Sequence, residues 1–207
     1  MKASAWIALA GVVGTWVLAA AAFWGERIKY WFPFLRPELI VEPVGLGQVV
    51  KQNPSGLNAR YYHLRVRNLR PRQFPAHEAV VFVTCVEKPD ANGQPFIVFD
   101  ETVPITWVRQ EHYGSVISRT IGPDQTANLL WVREDGRFQF ELVQPQPNHF
   151  PEPILCGRAD FWVTVQVRSI EVDSRPRRFK VAWDGQWQDG ATEIAKHLVV
   201  TPDPHAT

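Results

Sequence analysis

A chain of 207 residues with 22 basic and 21 acidic side chains can bury one substantial core, but it is too short for two comfortable domains once its apolar N-terminal stretch is set aside. Lys2, Glu26, Arg27, Lys29 and Arg36 flank that stretch; without them 18 basic face 20 acidic residues from Glu38 onward, which argues against a domain that grips nucleic acid through phosphates. Seventeen prolines, thirteen glycines and nine tryptophans point to a loop-rich β protein rather than a helical one, and two cysteines are too few for a disulfide scaffold and lack the paired spacing of a zinc site.

Residues 5–24, AWIALAGVVGTWVLAAAAFW, run for twenty positions without a charge, an Asn or a Gln. At about 1.5 Å of rise per residue a helix of this length spans roughly 30 Å, the hydrocarbon thickness of a bilayer, and Trp6 and Trp24 fall where interfacial aromatics belong. We read the stretch as a transmembrane helix that contacts the lipid bilayer. The alternative is a cleaved secretory signal, with Lys2 as its basic region and Ala19 to Ala22 as cleavage sites. Against it, the run exceeds a usual signal core and continues through Phe23 and Trp24. A buried helix of a soluble protein would need a partner on every side. No cysteine follows the run in a lipoprotein-like position.

Residues 25–37, GERIKYWFPFLRP, mix Tyr30, Trp31, Phe32 and Phe34 with Arg27, Lys29 and Arg36. This suits a collar in the headgroup layer, or equally a set of aromatics capping one end of a core. The cations behind the run outnumber Lys2 ahead of it, which favours a cytoplasmic C-terminal domain.

The domain proper is expected over residues 38–201, with 202–207 as a tail. Glu38 to Val44 opens it as a short strand, and the glycines and Asn53-Pro54-Ser55-Gly56 make the next stretch a loop. Gly45-Leu46-Gly47 lacks the Lys and following helix of a phosphate cradle. In RYYHLRVRN, Tyr62, Leu64 and Val66 alternate with His63, Arg65 and Arg67, predicting a strand with one core face. A proline-broken link carrying Arg70 and Arg72 leads to Ala79–Glu87, AVVFVTCVE, so continuously apolar that both faces are expected to be covered. Asn92-Gly93 marks a turn. Short strands are expected at 96–99, 104–108 and 116–121, a hairpin at 126–132 and 137–143 around Glu134-Asp135-Gly136, and a proline-dense loop at 144–153. Ala159 to Ser169 alternates Phe161, Val163, Val165 and Val167 with polar partners and predicts another central strand. Arg177–Trp183 follows, and HLVV closes the domain. Short alternating strands without a long amphipathic helix predict an antiparallel β-sandwich.

Chemistry is sparse. Six histidines lie at no ligand spacing. Glu111-His112-Tyr113 has the groups for acid–base work but lacks a nucleophile beside it, and Gly114-Ser115 lacks the elbow of an esterase. No catalytic residue, metal or cofactor is expected. The basic residues Arg65, Arg67, Arg70, Arg72, Arg175, Arg177, Arg178 and Lys180, with Arg27 and Lys29 of the collar, would contact anionic lipid or an acidic partner if they cluster in space. Otherwise they would pair across strands with Glu87, Glu141, Glu171 and Asp173.

The single apolar span, the WGERIKYWF collar, YYHLRVRN, AVVFVTCVE, VPITWV and RRFKVAWDGQWQD together resemble a loose group of uncharacterised bacterial membrane-anchored proteins with one immunoglobulin-like β-sandwich. The resemblance covers most of the chain and rests on strand patterns and turn residues. It implies an immunoglobulin-like fold and an inner-membrane address. It also implies that Ala79–Glu87 is a middle strand with Ala159–Ser169 as its antiparallel neighbour. That arrangement would bring Cys85 near Cys156, where a bridge closing a loop of about 70 residues would stabilise by roughly 4 kcal/mol; two separate thiols fit a cytoplasmic domain better. The expected function is a non-enzymatic interaction or scaffolding module with a protein partner still to be identified. The alternative is a secreted or periplasmic sandwich that stacks a flat ligand on Tyr113, Trp162 and Trp187.

Overall fold

The computed structural model describes Thr15 and residues 36–51, 55–70, 74–109, 116–143 and 158–203. The chain divides into two compact units, Met1–Arg36 and Pro37–Thr207. Of the stretch read as a membrane span only Thr15 is described; the remainder of residues 5–24 lies outside the described residues, as do Arg27 and Lys29. Among the described residues no helix is long and apolar enough to cross a membrane.

The second unit is all-β, with antiparallel sheets. The smaller sheet has the order β1 (Leu39–Lys51), β2 (Asn58–Asn68), β7 (Asp124–Arg133) and β8 (Phe138–Phe140). The larger runs β11 (Leu198–Pro202), β10 (Arg177–Trp183), β9 (Ala159–Arg168), β3 (Ala76–Pro89) and β4 (Pro95–Phe99), and β5 (Val103–Pro104) and β6 (Arg119–Ile121) also pair with β3. Strands β6, β5 and β4 take successive stretches of β3, at Ala76 to Ala79, Phe82 to Val83 and Val86 to Pro89.

One core lies between the sheets. Tyr62, Leu64 and Val66 of β2 point into it from one side, and Phe161, Val163, Val165 and Val167 of β9 from the other, as their alternation predicts. Phe138 and Phe140 of the smaller sheet meet Phe161 of the larger at ring-centroid distances of 5.3 and 5.4 Å, tilted and edge-to-face, the offset geometries that the ring quadrupoles favour. Trp183 fills the same layer and donates its indole N–H to the Gly136 carbonyl at 3.1 Å, tying β10 to the β7–β8 turn.

Residues 103–108 join the sheets. At Pro104 and Ile105 they pair with Phe82 and Val81 of β3; at Thr106 and Val108 they pair with Asn128 and Thr126 of β7, and the Thr106 amide donates to the Glu141 carbonyl at 3.1 Å. The segment predicted as a plain strand is therefore a corner that changes sheets. Trp107 anchors it, buried and donating its indole N–H to the Ile117 carbonyl at 2.9 Å.

Two further expectations need correction. Strand β1 continues to Lys51, through the glycines taken to end it, because two bulges absorb them: Gly45 adopts φ +121°, and the register shifts again between Leu46 and Val49. Strand β3 is buried on one face only. Val81, Val83 and Val86 face the core, while Phe82 faces outward beneath the Arg168 guanidinium, 5.3 Å from its ring centroid; a bulge between Val83 and Cys85 resets the alternation. A single-turn helix, α1 (Ala191–Ile194), precedes β11, and Ile194 is its buried residue.

The β1 bulge has a testable consequence. His63 lies directly over Gly47, so a methyl group there would overlap the imidazole. Gly47→Ala is expected to cost about 1–3 kcal/mol by overpacking, and most of that loss should vanish in a His63→Ala background. Urea unfolding midpoints of the four variants check both.

Candidate functional site

Alternation places one set of side chains on the outer face of the larger sheet, and the strand registers assemble them into a row. Ile97 of β4 lies opposite Glu87 of β3, Glu87 opposite Trp162 of β9, Trp162 opposite Lys180 of β10, and Lys180 opposite Thr201 of β11. Residues directly opposite in an antiparallel ladder share a face. Trp162 is the centre of the row: the Arg178 guanidinium and the Lys180 ammonium lie 5.0 and 5.3 Å from its ring centroid, within cation–π range. Arg178 donates to Glu87 at 2.7 Å and also pairs with Asp203, and Lys180 stands 3.4 Å from Asp160. At the edge of the sheet, Phe96 and Ile97 of β4 are 48% and 59% exposed, among the most exposed large apolar side chains of the described residues.

Three residues predicted for separate reasons meet here: Arg178 from the basic set, Trp162 from the stacking set, and Cys85. The Cys85 thiol is half-buried and free; burial, then the nearby Glu87 and Asp100 carboxylates, push its ionisation above the ordinary thiol range. A thiol held protonated is a poor nucleophile. Cys156 lies outside the described residues, as do Arg72 and Tyr113.

The remaining basic residues do not join this row. Arg65 and Arg67 project from β2 onto the opposite outer face, that of the smaller sheet, where Arg67 pairs with Glu42 at 3.1 Å. Arg70 pairs with Glu38 at 3.1 Å, and Arg175 and Arg177 are exposed at and before the start of β10. The described basic residues thus do not gather into one cluster, because β2 and β10 lie in different sheets and their outward residues face opposite ways. Of the acids expected as partners, Glu87 takes Arg178, whereas Glu171 takes His77, at 2.5 Å to the ring and 2.8 Å to the backbone amide. The stacking set is separated as well: cations flank the Trp162 ring, and Trp187 packs against the core while donating to Asp189 at 3.0 Å.

A second row crosses the outer face of the smaller sheet and has no counterpart in the sequence reading. The Asn128 carboxamide oxygen accepts from His63 Nδ1 at 3.0 Å, and the Asn128 amide donates to the Thr106 hydroxyl at 3.2 Å. Burial lowers the His63 pKa below the ordinary histidine value. Beyond Thr106 stands Glu141. Among the described residues no group of three His, Cys, Asp or Glu is placed to hold a metal.

No protein-family model matches this chain, and no curated protein matches it.

Proposed function

We propose that this protein is a single-pass membrane protein whose immunoglobulin-like β-sandwich is a non-enzymatic interaction module, taking a protein partner on the outer face of its larger sheet. The observation that carries this reading is the row Ile97–Glu87–Trp162–Lys180–Thr201: an exposed aliphatic side chain, a tryptophan flanked by two cations, and charges of both signs across five strands. Tryptophan and arginine at the centre of such a face are the residue types that dominate protein–protein binding energy. The twenty-residue apolar run at 5–24 supports the anchor, and the excess of cations behind it supports a cytoplasmic domain in a bacterial inner membrane.

Fractionation of cells expressing the full chain tests the anchor. The chain is expected in the membrane fraction, resistant to alkaline carbonate, and deletion of residues 1–24 should release it. A soluble mature chain with its amino terminus near Ala22 would overturn the anchor and favour the secreted alternative. A reporter active only outside the cytoplasm, fused after Thr207, should stay silent while the fusion accumulates.

A further inference from the structure

We propose that the open edge of β4 takes an extended, basic segment of the protein partner as an added strand, with Phe96 and Ile97 as its apolar anchors. This deepens the outer-face reading, on which it rests, since Ile97 ends that row. Strand β4 closes the larger sheet on its side: β5 and β6 continue along β3 instead of covering β4, and among the described residues nothing pairs with its far side. The preceding turn sets the phase of its hydrogen bonds. The Asp90 amide donates to the Gln94 carbonyl at 2.8 Å, so in an antiparallel ladder Lys88 and Phe96 form the next bonded pair, and Pro95 and Ile97 turn their backbone groups away from β3. Pro95 brings only a carbonyl to the open side, whereas Ile97 brings both an amide and a carbonyl.

Phe96 and Ile97 project to opposite faces of this hairpin, and Ile97, 59% exposed, is the most exposed large apolar side chain among the described residues. Sheet edges are ordinarily guarded by charges within the strand. Here the strand, PFIVF, carries none, and the charges stand at its two ends. The hairpin is also preformed: the Asp90 carboxylate accepts the amides of Asn92 and Gln94, both at 2.8 Å, and Gly93 takes φ +78°. An incoming strand would therefore meet a fixed edge at little cost in ordering entropy.

Charge selects the occupant. Asp90 lies at one end of β4, and Asp100 and Glu101 lie at the other, all three exposed. The same stretch of chain carries one cation, Lys88, while Glu87 is taken by Arg178 at 2.7 Å. A segment that alternates apolar residues with Lys or Arg matches this edge, because its apolar side chains would cover Phe96 or Ile97 and its cations would meet the carboxylates at the ends. A second copy of this chain does not match it. Two β4 strands paired antiparallel about Ile97 would set Asp100 and Glu101 of each against the Asp90 turn of the other, like charge against like.

Hydrogen exchange of the full chain in phosphatidylcholine nanodiscs, read amide by amide, tests this with two octapeptides, one alternating lysine with valine and the other glutamate with valine. At saturation the lysine peptide is expected to slow exchange of the Ile97 amide by about tenfold or more, to leave the Phe96 amide, already bonded to β3, unchanged, and to lose its effect in about 0.5 M salt. The glutamate peptide should have no effect. Asp100→Asn combined with Glu101→Gln should weaken the lysine peptide about tenfold. Three results would overturn strand addition: Ile97 exchange indifferent to the lysine peptide, equal slowing by both peptides, or slowing by the chain's own concentration without peptide, which would make the occupant a second copy. A lysine peptide that shifts the Trp162 indole resonance with the Ile97 amide unmoved would likewise end strand addition, yet leave the outer-face reading in place. The wild-type comparison of the two peptides decides the matter even if the variant folds poorly.

Discussion

Replacing Phe161 by alanine is expected to lower the stability of the domain by about 3–5 kcal/mol. The ring is wholly buried and contacts Phe138 and Phe140 across the space between the sheets, at 5.3 and 5.4 Å. Truncation would remove the transfer free energy of the ring and leave a cavity that two rigid sheets cannot close. For a domain of this size the loss corresponds to roughly 6–20 °C in the thermal midpoint. Phe161→Leu should retain more than half of the stability. A double-mutant cycle with Phe140→Leu should yield a coupling of about 0.5–1.5 kcal/mol, the share owed to ring geometry beyond buried area. A loss under about 1 kcal/mol for Phe161→Ala would show that the inter-sheet contact is not where the core is tightest.

Trp107→Ala is the second large effect, again about 3–5 kcal/mol, but with a different composition. Besides the volume of a fully buried indole, the substitution removes the N–H that satisfies the Ile117 carbonyl and strands that acceptor. Trp107→Phe separates the two contributions, retaining much of the ring while losing the donor, and should cost about 1–3 kcal/mol. Because Trp107 anchors the segment that joins the sheets, the damage should also be spatially uneven. Proteolysis under native conditions should find new cleavage near residues 103–108 in the alanine variant before the core strands are attacked, and cleavage spread evenly over the chain would argue against the corner as a separate opening unit.

Sequence periodicity was sufficient for the strands whose two faces see different solvents. Tyr62, Leu64 and Val66, and likewise Phe161 to Val167, alternate because one side of each strand meets the core and the other meets water, and both strands lie close to where their patterns put them. The Asn92-Gly93 and Asp135-Gly136 turns were legible for the same local reason: Gly93 and Gly136 hold the positive φ that other residues resist. The failures are non-local. The apolar run of AVVFVTCVE suggests two covered faces, but the outward Phe82 is shielded by a cation from β9 that no local pattern announces. Glycine at 45 and 47 signals a loop, yet bulges accommodate both within a strand whose partner is chosen by β2.

The candidate sites were less legible still. Trp162, Arg178 and Cys85 were each identifiable as residue types, but their convergence depends on the registers of β3, β9 and β10. The row from His63 to Thr106 was missed because a polar residue in an alternating strand reads as solvated surface. Only the insertion of the corner between β7 and Glu141 turns those positions into a buried chain.

The pairing of β3 also fixes a schedule. Its neighbour on one side is β9, so that Cys85 waits for Thr164 and Val81 for Val167, and the pieces covering its other side arrive one at a time as β4, β5 and β6. On a ribosome, the middle of the larger sheet stays half-built until β9, Ala159–Arg168, has been made. Contacts of such long sequence separation form slowly, and an unpaired apolar strand is exposed to misassociation meanwhile. Synthesis rate and chaperone access over that interval, rather than the final stability of the sandwich, should therefore govern how much of this protein reaches its native state in a cell.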